Sequence, residues 1–319
     1  MTTSRRQFLF HATATGIALG LPLPRLIGAA ESRAPNIAFP AAPRERIAIA
    51  SYPFRDFVVG KQDSQSSTPK KDAMEIARFA AYTKEKFGVA RIEPWSEHFL
   101  SLEPKYLADI RAGVEAAKGS IVNVAVDGPF SACAPEKDER DRAIAFSRQW
   151  IDAAVTLNSP SIRTNIRSAK GTKPDAALLA DSLKQVAAHA EQKGVVVHLE
   201  NDNPVSEDPF FLSGVIAQVN SAWLRALPDF GNSVATLPEA DAYRGVDAMF
   251  SHAYAISHVK SEVVGAGDKI IQVDLARSFA VAKKHNYKGF FSMEWDSPGD
   301  PHAGTRKLIE ATLQNLVKS

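Results

Sequence analysis

From Arg46 onward, short apolar and β-branched runs alternate with longer amphipathic stretches. Eight of the runs have strand length: 47–51, 90–93, 121–127, 161–164, 195–200, 224–229, 255–259 and 289–294. Between and after them, apolar positions recur at helical spacing over 72–87, 104–118, 138–157, 174–193, 208–220, 238–252, 272–286 and 302–317,. Helix boundaries are marked as well. Lys84-Glu85-Lys86-Phe87-Gly88 and Glu191-Gln192-Lys193-Gly194 place basic residues and a glycine at helix ends,. Pro104, Pro174 and Pro238 fall near helix starts, where a missing N–H costs little,. Regular strand–helix alternation predicts parallel βαβ units. Eight of them predict an α/β chain folded as a single (β/α)8 TIM barrel. An open doubly wound sheet fits less well, because no G-x-G-x-x-G follows the first strand,.

The first thirty residues stand apart from this rhythm. Ser4-Arg5-Arg6-Gln7-Phe8-Leu9 leads into an apolar stretch over 8–23, and Gly28-Ala29-Ala30 supplies small residues for cleavage,. This order resembles a bacterial twin-arginine (Tat) signal, which implies passage through the Tat export machinery to the periplasm. The expected organisation is a signal over 1–30, a linker over 31–45 rich in Ala, Pro and Arg, and the barrel over 46–319.

Composition narrows the function. The 319 residues are 45% hydrophobic and 23% charged, as in a globular enzyme or binding domain,. No apolar run after the leader is long enough for a multi-pass membrane protein, so no stable membrane insertion is expected once the signal is removed,. The formal charge is +2, but the leader holds Arg5, Arg6 and Arg25 and no acid. The remainder has 35 basic against 36 acidic residues, a charge of −1. No basic surface for nucleic acid is implied. One cysteine, Cys133, excludes an internal disulfide and a multi-thiolate metal site,.

In such a barrel the site lies at the carboxyl ends of the strands. A lone acid there is most often a solvated loop residue or a helix N-cap. Here strands five to eight end in Glu200, Asp229, His258 and Glu294. Adjacent strands let the four converge. Three carboxylates at close range repel unless a cation joins them. Carboxylates with one imidazole suit one divalent ion, Mn²⁺, Co²⁺ or Mg²⁺ ahead of Zn²⁺. Other polar positions weigh less. His198 and Lys260 share strand faces with Glu200 and His258, as a partner of a metal ligand and as a substrate contact. Arg163 and Asn165 alternate onto one face of the fourth strand. Trp95 and His98 follow the second strand as a sugar-stacking ring and a hydroxyl contact, and Phe54 follows the first as a pocket wall,.

At the four strand-end residues, spaced one βα unit apart, residues 46–317 resemble the xylose isomerase-like barrel superfamily of sugar phosphate isomerases and epimerases. The resemblance implies that Glu200, Asp229, His258 and Glu294 bind the metal and that homo-oligomers occur. From its ketose 3-epimerase branch it implies that Glu200 and Glu294 are the catalytic acid/base pair, removing a proton next to a carbonyl. Two positions depart from that branch. Its D-x-x-H reads Asp229-Phe230-Gly231-Asn232 here, leaving Asn232 able to bind a hydroxyl but not to transfer a proton. Its arginine six residues after the histidine is Val264, and Lys260 is the nearby cation. Export argues for a non-phosphorylated sugar or glycoside. The expected activity is a sugar isomerase or epimerase. A lyase or hydrolase of 3-keto-glycosides uses the same metal and base, and a carbohydrate-binding barrel without catalysis is a third reading.

Overall fold

The computed structural model describes residues 34–61, 72–168 and 172–317. The expected signal lies outside them, as do the first residues of the expected linker. The chain divides into Met1–Ser32 and Arg33–Ser319, and the fold below is that of the second unit. Its strands are β1 (Ile47–Ala50), β2 (Arg91–Glu93), β3 (Ser120–Ile121), β4 (Val124–Val126), β5 (Ser161–Thr164), β6 (Val196–Glu200), β7 (Leu224–Leu227), β8 (Ile256–Val259), β9 (Glu262–Val264), β10 (Ile270–Gln272) and β11 (Phe290–Met293). Its helices are α1 (Phe79–Phe87), α2 (Pro104–Ala116), α3 (Lys137–Leu157), α4 (Ala176–Lys193), α5 (Pro209–Val219), α6 (Asn232–Thr236), α7 (Glu239–Phe250), α8 (Leu275–Lys284) and α9 (Pro301–Val317). Among the described residues, no helix is long and apolar enough to cross a membrane.

Two parallel arcs make up the barrel wall. One has the order β3-β2-β1-β11-β8 and the other β4-β5-β6-β7. Isolated bridges join them, Trp95 to Ala125 on one side and Ala226 to Ala253 and Asp229 to His258 on the other. All eight expected strands are present, but the third is interrupted. Asn123 sits in the gap between β3 and β4, fully buried. Its Nδ2 donates to Glu93 and its Oδ1 accepts from Ser161 Oγ, each at 2.7 Å. At this residue the run changes partner, β3 pairing with β2 and β4 with β5. The β9–β10 hairpin and the short helix α6 are additions to the expected set.

Strand alternation sorts the side chains into two environments. On β1, Ile47 and Ile49 join the main core, while Ala50 lines a cavity at the opposite face. On β8 and β11, Ile256 pairs with Phe290 and His258 with Ser292 in register. Ile256 and Phe290 form, with Ala48, Val122 and Leu227, a separate apolar cluster that plugs the amino-terminal end of the barrel. Phe39, from the stretch expected to be a linker, packs on this plug. Its ring lies edge-on to Tyr254 and Phe290 at 5.4 and 5.8 Å. Tyr254 Oη also donates to Pro35 O at 2.8 Å, so this stretch is held against the barrel floor.

Helix ends follow the expected chemistry. Gly88 and Gly194 adopt left-handed φ of 66° and 72° after α1 and α4, a region that costs glycine least. Asp175, Asp208 and Asp274 cap α4, α5 and α8 through their side chains,.

Candidate metal and substrate site

Above the plug, the inward positions become polar. β6 contributes Glu200 and β8 His258; Asp229 follows β7 and Glu294 follows β11. One ligand atom from each of these four lies within 4.8 Å of all the others, and all four residues are buried. Phe230 explains how Asp229 is aimed. Its ring is fully buried against Phe250, Phe279 and Phe291, on the helix side of the wall. Burying such a ring contributes about 1.5–3 kcal/mol, and it turns the preceding Asp229 inward. Asp229 Oδ1 then accepts from Gly231 N at 2.7 Å and Asn232 N at 2.6 Å, and Asn201 clamps the Asp229 backbone from β6.

His258 is the hub. Its Nε2 is 2.9 Å from Glu93 Oε2, while Nδ1 faces Glu200 Oε1 at 2.7 Å, Glu294 Oε2 at 3.0 Å and Asp229 Oδ2 at 3.8 Å. Donating Nε2–H to Glu93 leaves Nδ1 as the nitrogen turned to the carboxylates, the arrangement in which an outer carboxylate orients a metal-binding imidazole. Two observations test whether a divalent cation fits. Asp229 Oδ2 is buried and accepts no hydrogen bond, its nearest cation being Lys260 Nζ at 3.2 Å. The donor set, three carboxylates and one imidazole, is the hard, oxygen-rich kind that such cations take. Both fit.

The charges respond to this crowding. Burial alone would lower the His258 pKa, but Glu200, Glu294 and Glu93 outweigh it and hold it well above the usual imidazole value. Burial, with the Glu200 and Glu294 charges, raises Asp229 to about 6 despite Lys260. Glu294 goes the other way. Against its burial, His258 and Lys260 hold it well below the usual carboxylate range.

An open cavity of ≈ 600 Å³ lies over the cluster. It is lined by Glu93, Glu200 and Glu294 and by Tyr52, Trp95, Asp127, Arg163, Asp202, Asn232, Lys260 and Asp296. Arg163 Nε is 3.0 Å from Glu200 Oε2, and Nη1 pairs with Asp127. Lys260 Nζ is 3.1 Å from Glu294 Oε2 and 3.2 Å from Asp229 Oδ2.

The expected substrate contacts separate. Arg163, Asn232 and Lys260 line the cavity. Trp95 lines it too, yet only 2% of it is exposed. Its Nε1 donates to Asp127 Oδ2 at 2.7 Å, and its ring meets Tyr52 and His98 edge-on, so little of its face is free for a sugar. His98 lies behind that ring, buried, with Nδ1 2.8 Å from Ser51 Oγ. It supports the wall and lines no part of the cavity. His198 is fully buried beneath Glu200, its Nδ1 on Ile162 O. Phe54 is a correction. The 3-10 turn Tyr52–Phe54 directs Tyr52 to the cavity and Phe54 outward, among Phe57, Phe79, Tyr82 and Phe87. Asn165 turns its Oδ1 to Gly128 N at 2.8 Å. Glu93 and Asp127 close the apolar runs 90–93 and 121–127, and Asp202 and Asp296 lie two residues after Glu200 and Glu294; strand-end position is their only sequence signal.

Comparison with known proteins agrees with this geometry. The sequence profile of the xylose isomerase-like TIM barrel family matches residues 82–315. No significant match is found among curated protein sequences. Among solved structures, the chain is similar to an L-ribulose 3-epimerase, with a TM-score of 0.66 and 17% identity over 85% of this chain and 95% of that one. It is also similar to 3-keto-D-glucoside 4-epimerase YcjR from E. coli, with a TM-score of 0.61 and 15% identity over 86% and 99%. A xylose isomerase-like TIM barrel protein from Mycobacterium smegmatis, in complex with magnesium, gives a TM-score of 0.63 and 16% identity over 85% and 96%. At these identities the likeness is one of fold, and the structural neighbours include sugar epimerases.

Proposed function

The chain belongs to the xylose isomerase-like TIM barrel family, and we propose that it is a divalent-metal-dependent sugar isomerase or epimerase that removes a proton next to a carbonyl of a non-phosphorylated sugar. The observation that carries this reading is the placement of Glu200 and Glu294 together against His258 Nδ1, at 2.7 and 3.0 Å, with both carboxylates lining the cavity. A divalent cation held by Glu200, Asp229, His258 and Glu294 would supply Lewis acidity to the carbonyl; Mn²⁺, Co²⁺ or Mg²⁺ suits the donor set better than Zn²⁺. Glu200 and Glu294 would exchange the proton. Arg163 orients Glu200 through Oε2, and Lys260 orients Glu294. Glu93 fixes the His258 ring.

The cavity charge supports an uncharged substrate. Its two cations, Arg163 and Lys260, each stand between two carboxylates, and Asp202 and Asp296 add acceptors for hydroxyls. A phosphate would meet carboxylates and no unpaired cation among the lining residues. Asn232 favours keeping a second reading. It occupies the position of the epimerase histidine and cannot transfer a proton, so a 3-keto-glycoside that loses its C2 proton could expel its C1 substituent instead of regaining the proton.

Deuterium wash-in from D₂O with the Mn²⁺-loaded protein tests both. Label next to the carbonyl of an epimer supports epimerisation, and release of the C1 substituent with loss of the C2 hydrogen supports elimination. Binding without exchange across ketoses and 3-keto-glycosides would leave a carbohydrate-binding barrel. Glu294→Gln should lower exchange by at least 10²-fold with the fold intact; an active variant removes Glu294 from the chemistry. We also propose export by the Tat route. Replacing Arg5 and Arg6 with lysine should retain the protein in the cytoplasm on fractionation, and unchanged periplasmic yield would refute that.

A further inference from the structure

Lys260 reaches the cavity floor through space that Gly231 leaves open. A Cβ at Gly231 would stand 3.0 Å from Lys260 Cβ and 3.3 Å from its Cδ, both tight, and 2.5 Å from Val263 Cγ1, closer than real contacts allow. The turn that places Gly231 is the one Asp229 Oδ1 holds, and it delivers Asn232 directly beneath the lysine. Asn232 Oδ1 accepts from Lys260 Nζ at 2.7 Å, and Asn232 Nδ2 points to Glu200 Oε1 at 3.4 Å. With Nζ also 3.1 Å from Glu294 Oε2, the ammonium and the amide bridge the two glutamates. The lysine side chain is 6% exposed, and it lines the cavity. A charge clamped at its tip, with its stem in a cleared channel, needs no reorganisation when negative charge develops beside it.

We propose that Lys260, clamped by Asn232, is a further catalytic residue that stabilises the oxyanion formed when the substrate loses its α-proton. This rests on the proton-abstraction reading above. The α C–H bond breaks, its proton goes to a glutamate carboxylate, and the electron pair moves onto the carbonyl oxygen. Lys260 Nζ donates a hydrogen bond to that oxygen in place of its contact with Asp229 Oδ2, the longest of its three at 3.2 Å. No oxidant or co-reactant is required. The amide of Asn232 takes no proton; it fixes where the ammonium stands.

The test combines metal titration with exchange kinetics. Metal-free wild type and Lys260→Met are titrated with Mn²⁺ alone. The variant should bind at least as tightly, because the ammonium sits beside two ligand oxygens and repels a cation. With Mn²⁺ bound, exchange into L-ribulose, D-allulose and a 3-keto-D-glucoside should fall about 10²–10³-fold in kcat, with KM changed much less. Ethylammonium should restore exchange in Lys260→Ala. Exchange within about threefold of wild type in Lys260→Met would overturn the proposal and leave the lysine as a counter-ion of the carboxylates. If circular dichroism shows Lys260→Met misfolded, Asn232→Leu, which releases the ammonium without changing any charge, should lose about tenfold in kcat at unchanged Mn²⁺ affinity. Full activity there overturns the proposal equally. A wild type that binds Mn²⁺ and exchanges none of the three probes refutes the proton-abstraction reading itself, and this inference with it. That result is distinguished by the wild-type arm.

Discussion

His258 can turn its Nδ1 toward three carboxylates because Glu93 occupies its other nitrogen, and Asn123 occupies Glu93 in turn. Glu93→Gln should therefore weaken Mn²⁺ binding about 10–100-fold without unfolding the barrel, as isothermal titration of the metal-free protein would show. Unchanged affinity would make Glu93 a mere neighbour. The four clustered residues were legible in the sequence because each closes an apolar run one βα unit after the last. Glu93 closes a run too, but its partner is 165 residues away and no spacing reveals such a pairing. His98 misled for the opposite reason, since a histidine in a strand-end loop has the polarity of a ligand whether it faces a cavity or a wall. Burial, with the nearby Arg55 charge, holds its pKa down at about 3, against about 6.5 for an unfolded chain. Above pH 6.5 both states are neutral at this residue. Below it the unfolded state takes up a proton that the folded state refuses, so stability falls as pH drops from 6.5 toward 3. At pH 5 the loss from this residue is about 2 kcal/mol. Urea denaturation at pH 7 and pH 5 should show a smaller acid loss in His98→Asn by about that amount; equal losses would mean that His98 is protonated when folded.

At the scale of elements, the periodicity of the chain located all eight barrel strands and the eight long helices around them, because each buries one apolar face against the same core. It did not locate the break between β3 and β4. The run 121–127 is apolar at every position but Asn123 and its final Asp127, and the break falls where pairing passes from β2 to β5, which no local pattern marks. The β9–β10 hairpin and α6 are too short to carry a period. Both cluster beside the site, where Gly231 meets Val263 of β9 and Lys260, so the elements hardest to read are those that shape the cavity. The helix after the last strand is tied to the site by another glycine. A Cβ at Gly304 of α9 would fall 2.4 Å from both Cδ1 and Nε1 of Trp295, the residue between Glu294 and Asp296. Gly304→Ala should cost about 1–3 kcal/mol through overpacking and lower Tm by several degrees. It should also weaken metal binding more than an alanine at Gly194, where nothing lies within 4 Å of the new methyl. Equal effects on metal affinity at the two positions would break the link between α9 and the site.

Across the whole barrel, the clustered Glu200, Asp229, His258 and Glu294 span one of the two joints between the arcs. The four-stranded arc ends at β7 and the five-stranded arc at β8, and between them stand isolated bridges rather than a ladder. Glu200 and Asp229 come from the first arc, His258 and Glu294 from the second. Without a cation the same joint gathers three carboxylates, with Arg163, Lys260 and a protonated His258 as their nearest counter-charges. A divalent ion held by these four residues would join two residues of each arc and remove the mutual repulsion of the carboxylates,. Binding only the folded state at a free concentration 100 times Kd contributes about 2.7 kcal/mol, which in a chain of this size raises Tm by roughly 4–5 °C. The gain should be local as well as global. Amide exchange followed with and without EDTA should lose protection over 224–230 and 255–260, on the two sides of the joint, well before 47–50 or 161–164, which lie within laddered strands. Uniform loss of protection would place the metal's contribution in the barrel as a whole, and no loss would mean that these four residues do not hold a cation in solution.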